Sequence, residues 1–366
     1  MIRILYITNG INGAAGLERV LSIKASLLAD EYGYNVHIAV LNRAGENPFY
    51  HFSEKINVHS VPVSGNPLKY LKMYIDGMRE LVASVKPDII SVCDDGLKGF
   101  FLPLILRKPC RMIYERHVSQ LVLLGQNPSV INRVYFSIQQ KLMRGLARKF
   151  DRLILLTEDN RIEWDLPNIE VISNPLSFFP SEVSSLENPR VIAVGRQAYQ
   201  KGFDRLLQAW KIVSVAHPDW KLTIFGKSNP TLKLPELADT LGISETVQFS
   251  EAVPKIEEEM LASSIFAFSS RFEGFGMVLT EAMACGLPCV SFDCPCGPSE
   301  IIQNGSNGYL VPNGDVTTFA ERLMELIENV DLRKKMATNA RRSVDRYSPE
   351  TILKKWDTLF KSLVDA

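Results

Sequence analysis

Residues 265–292 leave few folds open to this chain. They begin with an apolar run, IFAFSS (265–270), that reads as a buried strand. A Gly-containing loop, RFEGFG, leads into a helix that stops at Gly286, and PCVSF (288–292) resumes as a second strand. Strand, helix, strand is a βαβ unit, which commits its surroundings to a parallel sheet with helices on its faces. Open α/β sheets bind ligands outside the carboxyl ends of their strands. The loop places Glu273, Gly274, Phe275 and Gly276 there. Free backbone N–H groups at the start of that helix favour an anion or an oxygen-rich ligand.

Glu281 follows Glu273 by eight residues. Counted as helix, that spacing separates the carboxylates by roughly 10–12 Å. A retaining glycosidase needs its pair about 5 Å apart and an inverting one about 6.5–9.5 Å apart. The two are therefore expected to hold the two ends of one long ligand, such as the sugar and the ribose of a nucleotide sugar.

Strands alternate with helices through most of the 366 residues, a length that favours two domains. The first opens with IRILYIT (2–8) and continues through strands at 36–41, 88–93, 111–114 and 153–156. The second opens with VIAVG (191–195) and continues through 221–226, 247–249 and the unit above. A Pro- and Ser-rich stretch without period separates them. The expected division is 1–174, a linker at 175–189, 190–348, and a last helix over 349–366.

A hydrophobic content of 46% is ordinary for a globular protein, and 41 basic against 41 acidic side chains argues against a nucleic-acid partner. The apolar run at 2–7 is too short for a signal peptide, and the run at 100–106 is broken by Pro103 and too short to span a bilayer. A cytoplasmic protein is expected. Cys285, Cys289, Cys294 and Cys296 cluster, but without a Cys-x2-Cys knuckle, so all six cysteines are read as free thiols and no metal is expected.

Other loops carry candidate chemistry. Arg196 and Lys201 stand between a strand and a helix, flanked by Gly195 and Gly202, where two cations can clamp a diphosphate. Gly13 and Gly16 punctuate the turn after the first strand, although they do not form a proper G-x-G-x-x-G. YERHVS (114–119) follows a strand; His117 there can hydrogen-bond a sugar hydroxyl, with Arg116 as its rival. Asn174, before a proline, reads as a turn former. Residues 128–150 read as a helix with an apolar stripe (Ile131, Val134, Ile138, Leu142, Leu146) and a basic face (Arg133, Lys141, Arg144, Arg148). Two readings stand: a solvated face over a packed stripe, or contact with an anionic membrane surface, which would place the protein at the inner face of the cytoplasmic membrane.

The Glu–seven residues–Glu segment, with Gly274-Phe275-Gly276 after the first Glu and Ala282 and Gly286 after the second, resembles the signature of retaining glycosyltransferase family 4 (group 1). FDCPCGPSEII (292–302) and NGYLVPNGD (307–315) resemble that family's following blocks, and the resemblance covers essentially the whole chain. It implies an α/β protein of the GT-B fold, two doubly wound Rossmann-like domains facing each other across a cleft, with the last helix crossing back to the first domain. It also implies a nucleotide-sugar co-substrate, UDP-linked by preference, and a glycan or lipid-linked saccharide acceptor, with no metal or further cofactor. Carried over residue by residue, Glu273 orients the donor sugar and Glu281 grips the ribose. Arg196 and Lys201 hold the diphosphate, and Gly274, Phe275, Gly276, Met277 and Val278 line the donor site. Gly13 and Gly16 lie under the donor phosphate beside the acceptor, and His117 meets a sugar hydroxyl. The alternatives are a nucleotide-sugar epimerase of similar fold and a catalytically dead nucleotide-sugar-binding module.

Overall fold

The computed structural model describes residues 1–365 apart from 14, 43–46, 95 and 127. The chain forms two compact units, one of Met1–Ser177 with Tyr347–Ala366 and the other of Phe178–Arg346.

The first unit is built on seven parallel strands: β1 (Arg3–Ile7), β2 (Asn35–Leu41), β3 (Asn57–Val61), β4 (Ile89–Val92), β5 (Arg111–Glu115), β6 (Arg152–Leu155) and β7 (Ile169–Val171). Their order is β3-β2-β1-β4-β5-β6-β7. Central strands such as RILYI and IISV are apolar almost throughout, as a sheet covered on both faces requires. The chain winds outward from β1 to β3, then returns to lay β4 beside β1, with Tyr6 opposite both Ile38 and Ser91. That reversal makes the β1/β4 boundary the topological switch point, where loops diverge and leave a crevice. The final helix, Pro349–Asp365, buries Ile352, Leu353, Trp356, Leu359, Phe360 and Leu363. It is tied to this unit by Tyr34 Oη donating to Asp357 (2.7 Å) and Arg111 Nε donating to the Leu363 carbonyl (3.0 Å).

The second unit has six parallel strands: β8 (Arg190–Val194), β9 (Lys221–Phe225), β10 (Val247–Ser250), β11 (Ile265–Phe268), β12 (Cys289–Asp293) and β13 (Gly308–Pro312). They run in the order β10-β9-β8-β11-β12-β13, so the switch point lies between β8 and β11. Its core packs Trp210, Leu206, Phe292 and Phe319 around the sheet. The Pro- and Ser-rich stretch from residue 178 is pinned to this unit. Ser184 N donates to the Cys285 carbonyl (2.9 Å), and the buried Arg333 donates to the Leu186 carbonyl (2.9 Å).

Three strands were not predicted. β3 is an edge strand, NVHSV, with only its last residue fully buried, so it lacks an apolar period. β7 has three residues, and β13 sits inside a Gly- and Asn-rich stretch that reads as turns.

The helix expected over 128–150 runs from Val130 to Ala147, capped by Ser129, whose side chain accepts from Asn132 N. The packed-stripe reading of this helix is corrected. Only Met143, Leu146 and Ala147 are buried, all near its carboxyl end. Ile131 is 79% exposed, Val134 55%, Ile138 60% and Leu142 42%. The stripe faces solvent because only that end reaches the sheet's core cluster. Arg144 is not on a free basic face either: it donates to the Glu163 carbonyl (2.7 Å). Among the described residues, no helix is long and apolar enough to cross a membrane.

Candidate functional site

Each unit concentrates its polar chemistry at its own switch point. In the second unit, the loops after β8 and β11 supply it. The β8 loop ends in a tight turn, Tyr199–Lys201, followed by Gly202. Gly202 has φ +63°, and a Cβ there would lie 2.2 Å from the Ser269 carbonyl oxygen, so only glycine lets the two loops approach. Across that contact the Ser269 hydroxyl donates to the Lys201 carbonyl (2.8 Å).

The same approach delivers the Lys201 ammonium to Glu273, Nζ to Oε1 2.7 Å. Glu273 is 6% exposed. It also accepts from Ser270 Oγ (2.5 Å) and Gln200 Nε2 (3.3 Å), while its own N–H donates to the Pro295 carbonyl (3.0 Å). The carboxylate is held from three sides, an arrangement that fixes its direction before any ligand arrives. Cys294 is buried beside it; burial first, then the charge of Glu273, push that thiol well up, so it stays protonated.

The loop frame is itself ionic. Arg271 forks onto Asp204 with 2.8 and 2.6 Å bonds and lies over the Tyr199 ring. Burial opposes charge on Asp204, but the Arg271 bonds outweigh it and hold the carboxyl low. Arg205 donates to the Ser269 and Ser270 carbonyls, both at 2.9 Å, and burial draws its guanidinium down. Sequence reasoning passed over Arg205, Arg271 and Ser270, although Ser270 and Arg271 stand in the quoted IFAFSS and RFEGFG. The two arginines bond to partners 64 to 108 positions away, beyond the reach of any local motif.

Gly276 (φ +100°) turns the β11 loop into the helix Met277–Ala284. Gly274 and Phe275 are buried, and Met277 and Val278 are half-buried at the helix start. Glu281 is buried in the second turn. One expectation is corrected: the helix starts at Met277, so only half the steps between Glu273 and Glu281 are helical. The roughly 10–12 Å axial separation counted on continuous helix does not apply. Arg196 stands apart from this assembly: it is exposed and joins no side-chain ion pair or hydrogen bond among the described residues.

In the first unit the loops after β1 and β4 enclose a cavity of about 570 Å³ lined by Thr8, Asn9, Glu18, Cys93, Asp94 and Lys98, among others. Asp94 Oδ1 accepts from Asn9 Nδ2 (3.0 Å) and Gly96 N (2.7 Å). Gly10 and Gly96 line the cavity, whereas Gly13 and Gly16 are exposed outside its lining; Gly16 starts the helix Gly16–Asp30. The polar set Asn9, Asp94 and Lys98 was missed because no motif joins segments some eighty-five residues apart.

At the end of β5, His117 Nε2 lies 3.4 Å from Glu115 Oε2. Arg116 is buried and donates to the Val118 carbonyl (2.9 Å). Burial would push Glu115 up, but the buried ammonium of Lys24 and the His117 ring bring it down to about 2. Cys93, Glu115 and His117 hold ligand atoms within 4.8 Å of one another, the grouping of metal-ligand type found among the described residues. All six cysteines are free, five of them buried.

The pattern of the family described as Glycosyl transferases group 1 matches residues 177–343. The amylovoran biosynthesis glycosyltransferase AmsD of Erwinia amylovora is 31% identical over 373 residues, spanning 98% of this chain and 99% of that protein. An uncharacterized glycosyltransferase of Haemophilus influenzae is 29% identical over 369 residues, spanning 97% and 99%. Among solved structures, Anabaena HepE in complex with UDP and glucose superposes with a TM-score of 0.79 at 19% identity, covering 99% of this chain and 100% of that one. TarM superposes with a TM-score of 0.80 at 15% identity, covering 98% and 99%. Likeness at that identity speaks for the fold alone, and the fold is GT-B, two doubly wound α/β units. With near-complete overlap and 31% identity to AmsD, the chain belongs to the group 1 glycosyl transferases.

Proposed function

We propose that this glycosyltransferase moves a hexose or N-acetylhexosamine from a UDP-sugar to a glycan or lipid-linked saccharide, with retention of anomeric configuration, in cell-surface polysaccharide synthesis. The observation that carries the donor half is the Lys201–Glu273 pair at the β8/β11 switch point, beside the start of the helix Met277–Ala284. A cation, an oriented carboxylate and unpaired helix-start N–H groups suit a diphosphate joined to a sugar. The relatives support the sugar chemistry: AmsD is named for amylovoran biosynthesis, and a lipopolysaccharide 1,6-galactosyltransferase of Escherichia coli is 31% identical over 272 residues. HepE was solved with UDP and glucose.

On this reading the diphosphate leaves first, an oxocarbenium-like centre forms, and the acceptor hydroxyl attacks from the same face. Lys201, Arg196 and the N–H groups of Met277 and Val278 stabilise the charge developing on the diphosphate. Glu273 orients the donor sugar, and Glu281 holds the ribose hydroxyls. The acceptor occupies the cavity of Asn9, Asp94 and Lys98, with His117 near its rim; Cys93 both lines that cavity and neighbours His117. The reaction needs no metal.

A second element of the reading concerns where the protein works. The helix Val130–Ala147 has no acidic residue, carries Arg133 and Lys141 exposed, and turns Ile131, Val134 and Ile138 to solvent. An apolar ridge with basic flanks suits an anionic bilayer surface, on the cytoplasmic side where lipid-linked acceptors are presented.

The test is incubation with a panel of nucleotide sugars, with and without a membrane extract, following free nucleotide and labelled product in the presence of EDTA. Acceptor-dependent release of UDP that survives EDTA is expected. Conversion of the donor to its epimer without acceptor, or binding without turnover, would replace the transferase reading with one of its two alternatives.

A further inference from the structure

The second unit carries a cavity of about 630 Å³ that lies away from its switch point. All its lining residues fall between Phe179 and Asp345, within that one unit. One wall is the Pro- and Ser-rich stretch from Phe179 to Leu186, and the other is the helix Val330–Ser343. Gly286 lines it too, just beyond the end of the helix Met277–Ala284. The start of that helix is at the Glu273 loop, and its eight residues put roughly 12 Å between its two ends. The cavity is therefore separate from the proposed donor site.

Its lining is of two kinds. Phe179 is 47% exposed and Val183 51%, and the buried Leu186 and Ala337 continue this apolar surface. Beside it stand three cations, Lys334, Arg341 and Arg342, against one carboxylate, Asp345. Arg341 is held in place: it lies over the Phe179 ring, 4.1 Å to the centroid, and donates to the Pro180 (2.5 Å) and Ala284 carbonyls. Lys334 and Arg342 are exposed and join no side-chain ion pair or hydrogen bond among the described residues. Clefts of about 300–1,000 Å³ with apolar walls and a few convergent polar groups are the usual form of a small-molecule site.

We propose that this cavity binds a small amphipathic anion. Its apolar body, aromatic or alkyl, lies against Phe179, Val183 and Leu186, and its carboxylate, sulfonate or phosphate head is held by Lys334 and Arg342. Arg341 adds a charge already fixed by its carbonyl bonds, so no ordering of that side chain opposes binding. A neutral ligand would leave the excess of positive charge unanswered. A concave site bounded by two elements suits a single molecule, whereas a bilayer needs a projecting apolar face. The inference does not depend on how the transfer reaction is read.

The probe is anilinonaphthalene sulfonate, which joins an aromatic body to a single anionic head. Its control is phenylnaphthylamine, the same body without the sulfonate. Fluorescence titration of the full chain should show one saturable site for the sulfonate, unchanged by saturating UDP. Lys334→Glu with Arg342→Glu should weaken that site roughly tenfold or more, the worth of one charged contact, and leave the uncharged probe unaffected. Thr338→Trp should block both probes. Thr338 lines the cavity from an exposed position, and its hydroxyl bonds only the Lys334 carbonyl of its own helix, so this variant is expected to fold and to melt at about the wild-type temperature.

Three results would each overturn the proposal: no saturable binding to wild type, displacement of the sulfonate by UDP, or wild-type affinity for the sulfonate in both variants. Competition then tests the head group. Decanoate should displace the sulfonate from wild type, and decanol at the same concentration should not. Equal displacement by decanol, or equal loss of the charged and uncharged probes in the Lys334→Glu/Arg342→Glu variant, would show an apolar cavity with no preference for an anion and would also overturn it.

Discussion

Among single residues, Lys201, Arg196 and Glu273 are expected to behave differently because the structure holds them differently. Arg196 is exposed and outside the ionic frame. Arg196→Ala should therefore weaken UDP binding by the worth of one charged contact, about 1.5–3 kcal/mol, without moving the melting temperature. Lys201→Ala should do both, since it leaves the buried Glu273 without its cation. Glu273→Gln can keep the shared acceptor oxygen of Ser270 and Lys201 at the expense of the longer bond from Gln200, and should lower kcat more than it changes UDP affinity. Calorimetry with UDP beside a thermal melt separates the three; equal UDP affinity in all would place the diphosphate elsewhere.

Glu115 adds a pH signature. Its carboxyl titrates near 4.5 when unfolded and near 2 in the fold. The unfolded chain takes up the proton first, so the stabilisation is complete above about pH 4.5 and is lost as pH falls towards 2. Wild type should lose up to about 3 kcal/mol more over that window than the Lys24→Met/Glu115→Leu variant. Denaturant titrations at matched pH values check the difference.

Among elements, the helix Val130–Ala147 differs most from what its sequence suggests. Helical spacing correctly sorted its side chains into an apolar stripe and a basic side, yet spacing is silent on which side meets the protein. Only the carboxyl-terminal turns reach the core, through Met143, Leu146 and Ala147. Wild type is expected to sediment with vesicles containing an anionic phospholipid. Ile131→Ser with Ile138→Ser should release it, as fully burying such side chains is worth about 1.5–3 kcal/mol each. Arg133→Glu with Lys141→Glu should weaken binding in a salt-dependent way, at roughly 1 kcal/mol per basic residue. Wild type left in the supernatant at low salt would exclude the bilayer as the partner of this face.

For the whole molecule, the chain leaves the first unit at residue 177 and returns to it at 347. The returning helix buries six large apolar side chains. At about 1.5–3 kcal/mol each, their gross burial is comparable with the entire stability of a domain, about 5–15 kcal/mol. A chain truncated after Arg346 should therefore lose the first unit while the second stays folded. Hydrogen exchange should show β1–β7 unprotected and β8–β13 protected; equal protection of both sheets would mean that the helix is dispensable.

The sequence by itself determined the architecture of both units, because parallel strands covered on two faces must be short apolar runs and the helices between them must stop at residues such as Gly286. It also marked the loops that carry Glu273, Lys201 and His117, since those loops follow strands whose carboxyl ends are legible locally. Edge strands escaped it: NVHSV buries too little to show a period. Only the tertiary structure decided which of these residues meet. The Lys201–Glu273 pair spans 72 positions and the Lys24–Glu115 pair 91, and both depend on the strand order at the switch points. Contact between such distant residues is set by how the sheets wind, which no local spacing encodes.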